Sequence, residues 1–168
     1  MLTELLDRVK SVQEGLQDGE IIRDVVVDHE EDILDLQKLQ LFQGKASNGE
    51  DIRPYYTEDL KPSGFFNSVE SAKRYSDWKQ TINYPRLADR NADAPNLFIN
   101  GKFHSELAVS FGSDSVVVAG STSYANEIVD KYGLETFGLT KDNWNIIFRD
   151  RGGLSELLSN IKQQLYAH

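Results

Sequence analysis

Residues 95–111, PNLFINGKFHSELAVSF, decide the architecture of the chain. Three apolar residues lead into Asn100-Gly101, the dipeptide that best tolerates the positive φ of a tight turn. From 103 to 111 the residues then alternate in polarity, which is typical of a half-buried strand. A turn and the valine-rich run at 115–119 complete the pattern of a β-hairpin. The stretch therefore predicts a hairpin that opens directly after the Asn-Gly turn.

Helices are predicted on both sides of this hairpin. Residues 2–16 place leucine and valine at spacings of three and four, and a longer helix over 20–43 ends at Gly44. After the hairpin, helices are predicted over 124–131, 141–148 and 154–166, with Ser121 or Ser123 and Thr140 as N-caps. The fold is thus predicted to be α+β, with N- and C-terminal helices packed on a small antiparallel sheet. Four side chains are expected to hold the hairpin in the core: Leu97, Phe98, Phe103 and Val109.

The segment 45–95 interrupts this regularity. It contains turn residues, an extended aromatic arm near 52–56, and a short helix over 69–80 that Ser68 is expected to cap. Its last part, 83–95, holds two prolines and is expected to be an exposed loop. At 168 residues the chain is predicted to form a single domain. Its parts are a helical region (1–44), an irregular, aromatic-rich region (45–95), and the hairpin with the C-terminal helices (96–168).

The charge balance limits the classes of partner. The chain carries 27 acidic and 18 basic residues, a formal net charge of −9. This composition disfavours binding through nucleic-acid phosphates and docking on anionic membranes. There are no cysteines, no apolar run near the roughly 20 residues of a membrane span, and no signal-peptide pattern at the N-terminus. We expect a protein made in the cytoplasm, with no membrane partner and no specific nucleic-acid recognition.

Residue chemistry singles out no catalytic, metal or cofactor site. His29 and Asp32 give at best one weak ligand pair, and Ile33 at the next helical position cannot coordinate. Carboxylates are too numerous for any pair to stand out. Nucleophile-elbow and phosphate-loop motifs are missing from the sequence. His104 is interpreted as a packing residue at the start of a strand. The alternative is a small-molecule pocket, for which His104 and Tyr124 are the first candidates.

Aromatic side chains are concentrated between 55 and 84. One interpretation is a satellite core that pins a long loop. A second is a contact surface, since Tyr, Trp and Arg are enriched where proteins meet. The third is base stacking on nucleic acid, which the acidic balance of the chain disfavours. The segment is also locally basic, whereas the N-terminal helices are acidic, which indicates complementary surfaces between neighbouring copies. The predicted interface residues are Arg53, Tyr55, Tyr56, Trp78, Lys79, Arg86 and Arg90.

The order of these signals resembles that of a known family. A stretch at 43–55 (QGKASNGEDIRPY) is followed by a lysine-bearing helix at 75–79 and then by the signature LFINGKFHS at 97–105. A hairpin and a helix lead to the pair Phe137-Gly138. This order is similar to that of the tail-completion, or head–tail joining (neck), proteins of tailed bacteriophages and prophages. The signature residues are Leu97, Phe98, Asn100, Gly101 and Phe103.

The resemblance implies a structural virion protein at the head–tail junction or the tail end, assembled in the host cytoplasm. Its expected partners are copies of itself in a ring and the neighbouring connector, portal-side and tail proteins. The resemblance implies no catalysis and no cofactor. Two alternatives stay open: a phage-encoded protein that binds or inhibits a host protein, and a small-molecule-binding enzyme.

Overall fold

The computed structural model of the chain describes residues 2–53, 66–81, 95–98, 100–111, 116–120 and 125–166. Over these ranges the protein is mostly helical and contains a small two-stranded antiparallel sheet. Helices lie at both ends of the chain, as predicted. The predicted α+β class is therefore confirmed.

Three helices form the N-terminal part: α1 (Leu2–Gln17), α2 (Glu20–Asp28) and α3 (Glu30–Phe42). The single helix predicted over 20–43 is wrong, because the helix is interrupted at His29, whose φ is −103°. The three carboxylates at 30–32 favour a new helix start here, since negative charge is stabilised at a helix N-terminus. Gly44, with a φ of 71°, follows the end of α3 in the way the sequence predicts.

In the part of the centre that the structure describes there are two helices and the hairpin. Helix α4 (Val69–Thr81) is capped as predicted, since the Ser71 amide donates to Ser68 Oγ at 3.1 Å. A short helix, α5 (Lys102–Ser105), precedes strands β1 (Leu107–Phe111) and β2 (Val116–Gly120). The strands pair antiparallel, with Val109 opposite Val118.

The hairpin is confirmed, but its predicted start at Phe103 is wrong. Gly101 has the expected positive φ, 82°, yet the chain turns into α5 instead of a strand. The side-chain oxygen of Asn100 accepts from the Lys102 amide at 3.1 Å, which favours a helical turn. As a result the consecutive residues Phe103 and His104 are both buried, which strand alternation would not allow.

The C-terminal part contains α6 (Ala125–Tyr132), a 3₁₀ turn (Leu134–Thr136), α7 (Lys141–Asn145) and α8 (Gly153–Tyr166). A π-helical turn (Ile146–Asp150) continues α7. The predicted cap at Thr140 is confirmed, because its hydroxyl accepts from the Asn143 amide at 3.2 Å. The other predicted caps, Ser121 and Ser123, lie outside the described residues.

Two apolar clusters hold these elements together. The hairpin cluster joins α2 and α3 to β2 and the π-helical turn, and its buried members are Val26, Ile33, Leu36, Val118, Leu139 and Ile147. The Phe103 cluster lies at the end of α3, and its buried members are Leu41, Ala46, Ile52, Phe103 and Leu107. Of the four predicted hairpin anchors, Phe103 is buried, while Leu97 and Val109 are partly buried against these clusters. Phe98 packs on Phe42.

Candidate functional site

The Phe103 cluster brings together three stretches of the family-like pattern. Ala46 and Ile52 come from the 43–55 stretch, Phe103 from the LFINGKFHS signature, and Phe137 from the aromatic-glycine pair. The rings of Phe103 and Phe137 lie with their centroids 6.0 Å apart. Segments up to about ninety positions apart in the sequence thus pack into one unit. These residues therefore have a structural role.

Hydrogen bonds of the Gln40 side chain, which we call the clamp, hold the same region against α3. The Gln40 side-chain amide donates to the Gly138 carbonyl at 2.9 Å, and its oxygen accepts from the Thr140 amide at 2.9 Å and from Asn143 Nδ2 at 2.9 Å. Gln40 is only 2% exposed, so these bonds replace water contacts that the side chain has lost. Gly138 has a φ of 98°, a conformation that favours glycine. The positive φ therefore accounts for glycine at position 138, whereas the bond from Gln40 uses a backbone carbonyl that any residue would offer.

His104 lies beside this unit, in an aromatic environment. Its imidazole stacks on the Phe42 ring and meets the Phe98 and Phe103 rings edge-on or steeply tilted. Burial and the nearby charge of Lys79 lower the pKa of His104 to about 4. The ring is therefore neutral at physiological pH. This environment agrees with a packing role, although the helix α5, and not a strand, carries the residue.

The predicted interface residues fall into three groups. Trp78 is 47% exposed on α4, and Arg53 is also exposed. Lys79 is buried, with 1% of its surface exposed, so its side chain does not lie on the surface of a single copy. The others, Tyr55, Tyr56, Arg86 and Arg90, lie outside the described residues, as does Tyr124 of the alternative pocket.

Phe66, which precedes α4, contacts a lysine of α6. The ammonium group of Lys131 lies 4.6 Å from the Phe66 ring centroid and 5.2 Å from that of Tyr132. Burial lowers the pKa of Lys131 to about 8 and raises the pKa of Tyr132. The Tyr75 ring lies between those of Phe66 and Trp78, 5.4 Å from each. These rings support the interpretation of the aromatic residues as a satellite core around α4, with Trp78 at its outer edge.

A charged group surrounds the break between α2 and α3. His29 Nδ1 lies 3.0 Å from Asp32 Oδ2, and its Nε2 lies 3.4 Å from Glu156 Oε2 on α8. Asp32 also pairs with Arg151, and its hydrogen bond with His29 is the main cause that lowers its pKa. Over the described ranges, no set of three or more His, Asp or Glu side chains has the geometry to bind a metal ion.

Sequence reasoning missed a group of exposed apolar side chains. Leu5, Leu6, Val9 and Leu16 on α1 are 38–53% exposed, and Leu154 and Leu158 on α8 are each 49% exposed. The predicted amphipathic pattern of α1 is present, but among the apolar side chains of α1 that the structure describes, only Val12 is buried. The helical spacing of these apolar residues gives no sign of their exposure, because it is the same as that of a core-facing helix.

No protein-family model, curated protein or solved structure matches the chain. Among the described helices, none is both long enough and apolar enough to span a membrane.

Proposed function

We propose that the chain is a structural virion protein of a tailed bacteriophage or prophage, acting at the head–tail junction or at the tail end. In this role it assembles into a ring of several copies and docks on connector and tail proteins. It works through packing surfaces, without a catalytic step or a cofactor.

The proposal rests mainly on one observation: the three stretches that resemble the family pattern contribute residues to the same packed cluster, the Phe103 cluster. Ala46, Phe103 and Phe137 derive from separate motifs of the resemblance and pack in one place. Their contacts support the view that the pattern encodes one structural unit, on which assembly surfaces are mounted.

The exposed apolar side chains of α1 and α8 give further support. A chain that works alone in water rarely leaves this many large apolar side chains exposed on two contacting helices. Such a surface is typical of a protein that another protein chain covers.

The proposal is tested on particles from cells that encode the chain. We expect mass spectrometry of purified particles to find the protein in several copies, and labelled antibodies to mark the neck or the tail end in electron micrographs. Disrupting the gene should leave filled heads and free tails unjoined or tails malformed, and a plasmid copy should restore complete particles. Particles that form normally and contain none of the protein would refute this role.

A further inference from the structure

Two Asn-Gly dipeptides occur in the chain, and their hydrogen bonding differs. Asn48-Gly49 lies in the turn after α3, and Asn100-Gly101 lies directly before α5. Both asparagines are exposed, and both glycines have a positive φ, 84° and 82°. An asparagine that precedes glycine can react with its own backbone, because glycine has no side chain to block the approach of its amide nitrogen.

The reaction is an attack of the backbone on the side chain. The glycine amide nitrogen loses its proton and forms a bond to Cγ of the asparagine, while the bond from Cγ to Nδ2 breaks and ammonia leaves with the proton. The product is a succinimide ring, which water opens at either carbonyl to give aspartate or isoaspartate. In isoaspartate the side-chain methylene has become part of the backbone. Water is the co-reactant, and no electron is gained or lost.

Both turns prepare the side-chain carbonyl in the same way. The Lys102 amide donates to Asn100 Oδ1 at 3.1 Å, and the Glu50 amide donates to Asn48 Oδ1 at 2.9 Å. Each bond folds the side chain back over the glycine peptide. A donor at this oxygen also stabilises the negative charge that develops there during the attack. The two sites therefore differ in the nucleophile and not in the carbonyl.

The nucleophile at Gly49 is restrained. Its amide donates to the Ala46 carbonyl at 2.9 Å, and this bond must break before the nitrogen can attack. The leaving group of Asn48 is also held, since its Nδ2 donates to Glu50 Oε2 at 3.2 Å. A further bond, from the Ala46 amide to the Glu50 carbonyl at 2.8 Å, closes the turn. These contacts protect Asn48.

The nucleophile at Gly101 is not restrained in this way. Among the residues that the structure describes, the Gly101 amide has no hydrogen-bond partner, and neither has Nδ2 of Asn100. Glycine is nevertheless required at position 101, because its φ is positive and a Cβ atom would lie 3.2 Å from Phe98 Cε2. The fold therefore keeps a glycine beside Asn100 and leaves its nitrogen available.

We infer that Asn100 is a site of spontaneous modification, at which the folded protein forms a succinimide and then aspartate and isoaspartate, while Asn48 stays intact. Isoaspartate at position 100 lengthens the backbone directly before α5 and disrupts the bond to the Lys102 amide. Helix α5 carries Phe103 and His104, each only 4% exposed, into the core. The modified chain therefore loses part of this packing. The reaction depends on the fold alone and not on the proposed virion role.

Incubation of the folded, full-length protein in mildly alkaline buffer tests the inference. Peptide mapping by mass spectrometry follows both sites, since conversion of an amide to an acid raises the peptide mass, and chromatography separates isoaspartate from aspartate. We expect Asn100 to convert about tenfold faster than Asn48, because one amide hydrogen bond must first break at Gly49. In guanidinium chloride, where neither turn is present, the two rates should become similar.

Two variants connect the modification to the loss of packing. Asn100→Ser removes the reactive amide, and its hydroxyl can still accept from the Lys102 amide. Asn48→Ser is the matched control at the protected site. Urea unfolding compares fresh with incubated protein. We expect the unfolding midpoint to fall on incubation for wild type and for Asn48→Ser, and to stay unchanged for Asn100→Ser.

Three results would overturn the inference. The first is conversion of Asn48 in the folded protein as fast as that of Asn100, which would show that the bond from Gly49 gives no protection. The second is a folded protein in which both asparagines persist while the sample in guanidinium chloride converts. The third is an incubated Asn100→Ser protein that loses as much stability as wild type, which would place the damage at another residue.

Discussion

The imidazole of His104 lies parallel to the ring of Phe42, with 4.6 Å between the ring centroids and 5° between the planes. This contact joins α5 to the end of α3 and lies against the Phe103 ring. Since His104 is only 4% exposed, protonation would place a charge among aromatic side chains and beside Lys79. The fold therefore requires the neutral form of this histidine.

The protein should lose stability in mild acid because of His104. Burial, with the charge of Lys79, lowers its pKa from 6.5 to about 4. Between these values the unfolded chain takes up a proton that the folded chain excludes, so the free energy of unfolding falls as pH falls and levels off below about 4. The loss reaches at most about 3 kcal/mol, from about 1.4 kcal/mol per pKa unit.

The variant His104→Phe isolates this effect, because it keeps an aromatic ring and removes the titration. Urea unfolding from about pH 7.5 to about pH 4.5 gives the slope for each protein. We expect the wild-type free energy of unfolding to fall more steeply than that of the variant over this range. Parallel slopes would show that His104 is not the group responsible.

We predict that position 120 must be glycine, because the Phe103 ring leaves no room for a side chain there. A Cβ atom at position 120 would lie 2.8 Å from Phe103 Cε2 and 3.5 Å from Ala125 Cβ. Because the Phe103 ring is 4% exposed and packed on several sides, we expect Gly120→Ala to cost about 1–3 kcal/mol of stability. The smaller side chain in Phe103→Leu should remove most of that cost.

A double-mutant cycle measured by urea unfolding tests this coupling. The single variants Gly120→Ala and Phe103→Leu each destabilise, and the combination should be more stable than the sum of the two effects allows. If the two losses of stability simply add, the methyl group introduced by Gly120→Ala does not clash with the Phe103 ring, and the prediction is wrong.

The hairpin illustrates how far the sequence determines this fold. The strands at 107–111 and 116–120 follow from alternation and a turn, and both are present. The short helix α5 was not predicted, because the residues after Gly101 fit a strand pattern as well as one helical turn. The choice is made by packing: Phe103 and His104 enter the core together, and no local pattern specifies contacts with Phe42 or Phe137.

The candidate surfaces were predictable only in part. The apolar positions of α1 can be found from helical spacing, but the exposure of Leu5 and Leu6 depends on how α1 meets α8. Lys79 was predicted to lie at the surface, but it is buried. Its burial depends on how α4 packs against the rest of the fold, which the sequence pattern does not specify. The clamp at Gln40 joins positions about a hundred residues apart, and an isolated glutamine in a helix gives no sign of it.

Gln40 should contribute more to stability than its neighbour Gln37, although both are fully buried. The variant Gln40→Leu leaves the Gly138 carbonyl and the Thr140 amide, both half-buried, without their side-chain partner. We expect a loss of about 1–3 kcal/mol from these unpaired groups. Gln37→Leu removes one longer bond, 3.4 Å to the Thr136 carbonyl, and should cost less. Urea unfolding ranks the two variants. Equal or reversed losses would contradict the clamp.

Glu156 is predicted to weaken the fold slightly at neutral pH. A hydrogen bond with Asp28 is the main cause that raises its pKa; burial and the charge of Asp28 add to it, and His29 acts in the opposite direction. A raised pKa means that the protonated form is favoured in the folded state. This contribution is fully present below the unfolded value of 4.5 and is lost as pH rises through the folded value.

The variant Glu156→Gln should therefore be more stable than wild type at neutral pH, because a neutral amide can donate to Asp28 at every pH. The gain is expected to be a few tenths of a kcal/mol, since the side chain is partly exposed and solvent screens the charges. Thermal unfolding at about pH 7 and about pH 4 measures it, and the difference should shrink at the lower pH. Glu127→Gln on α6 is the matched control. A variant less stable than wild type at neutral pH would show instead that the contact between Glu156 and His29 outweighs the repulsion from Asp28.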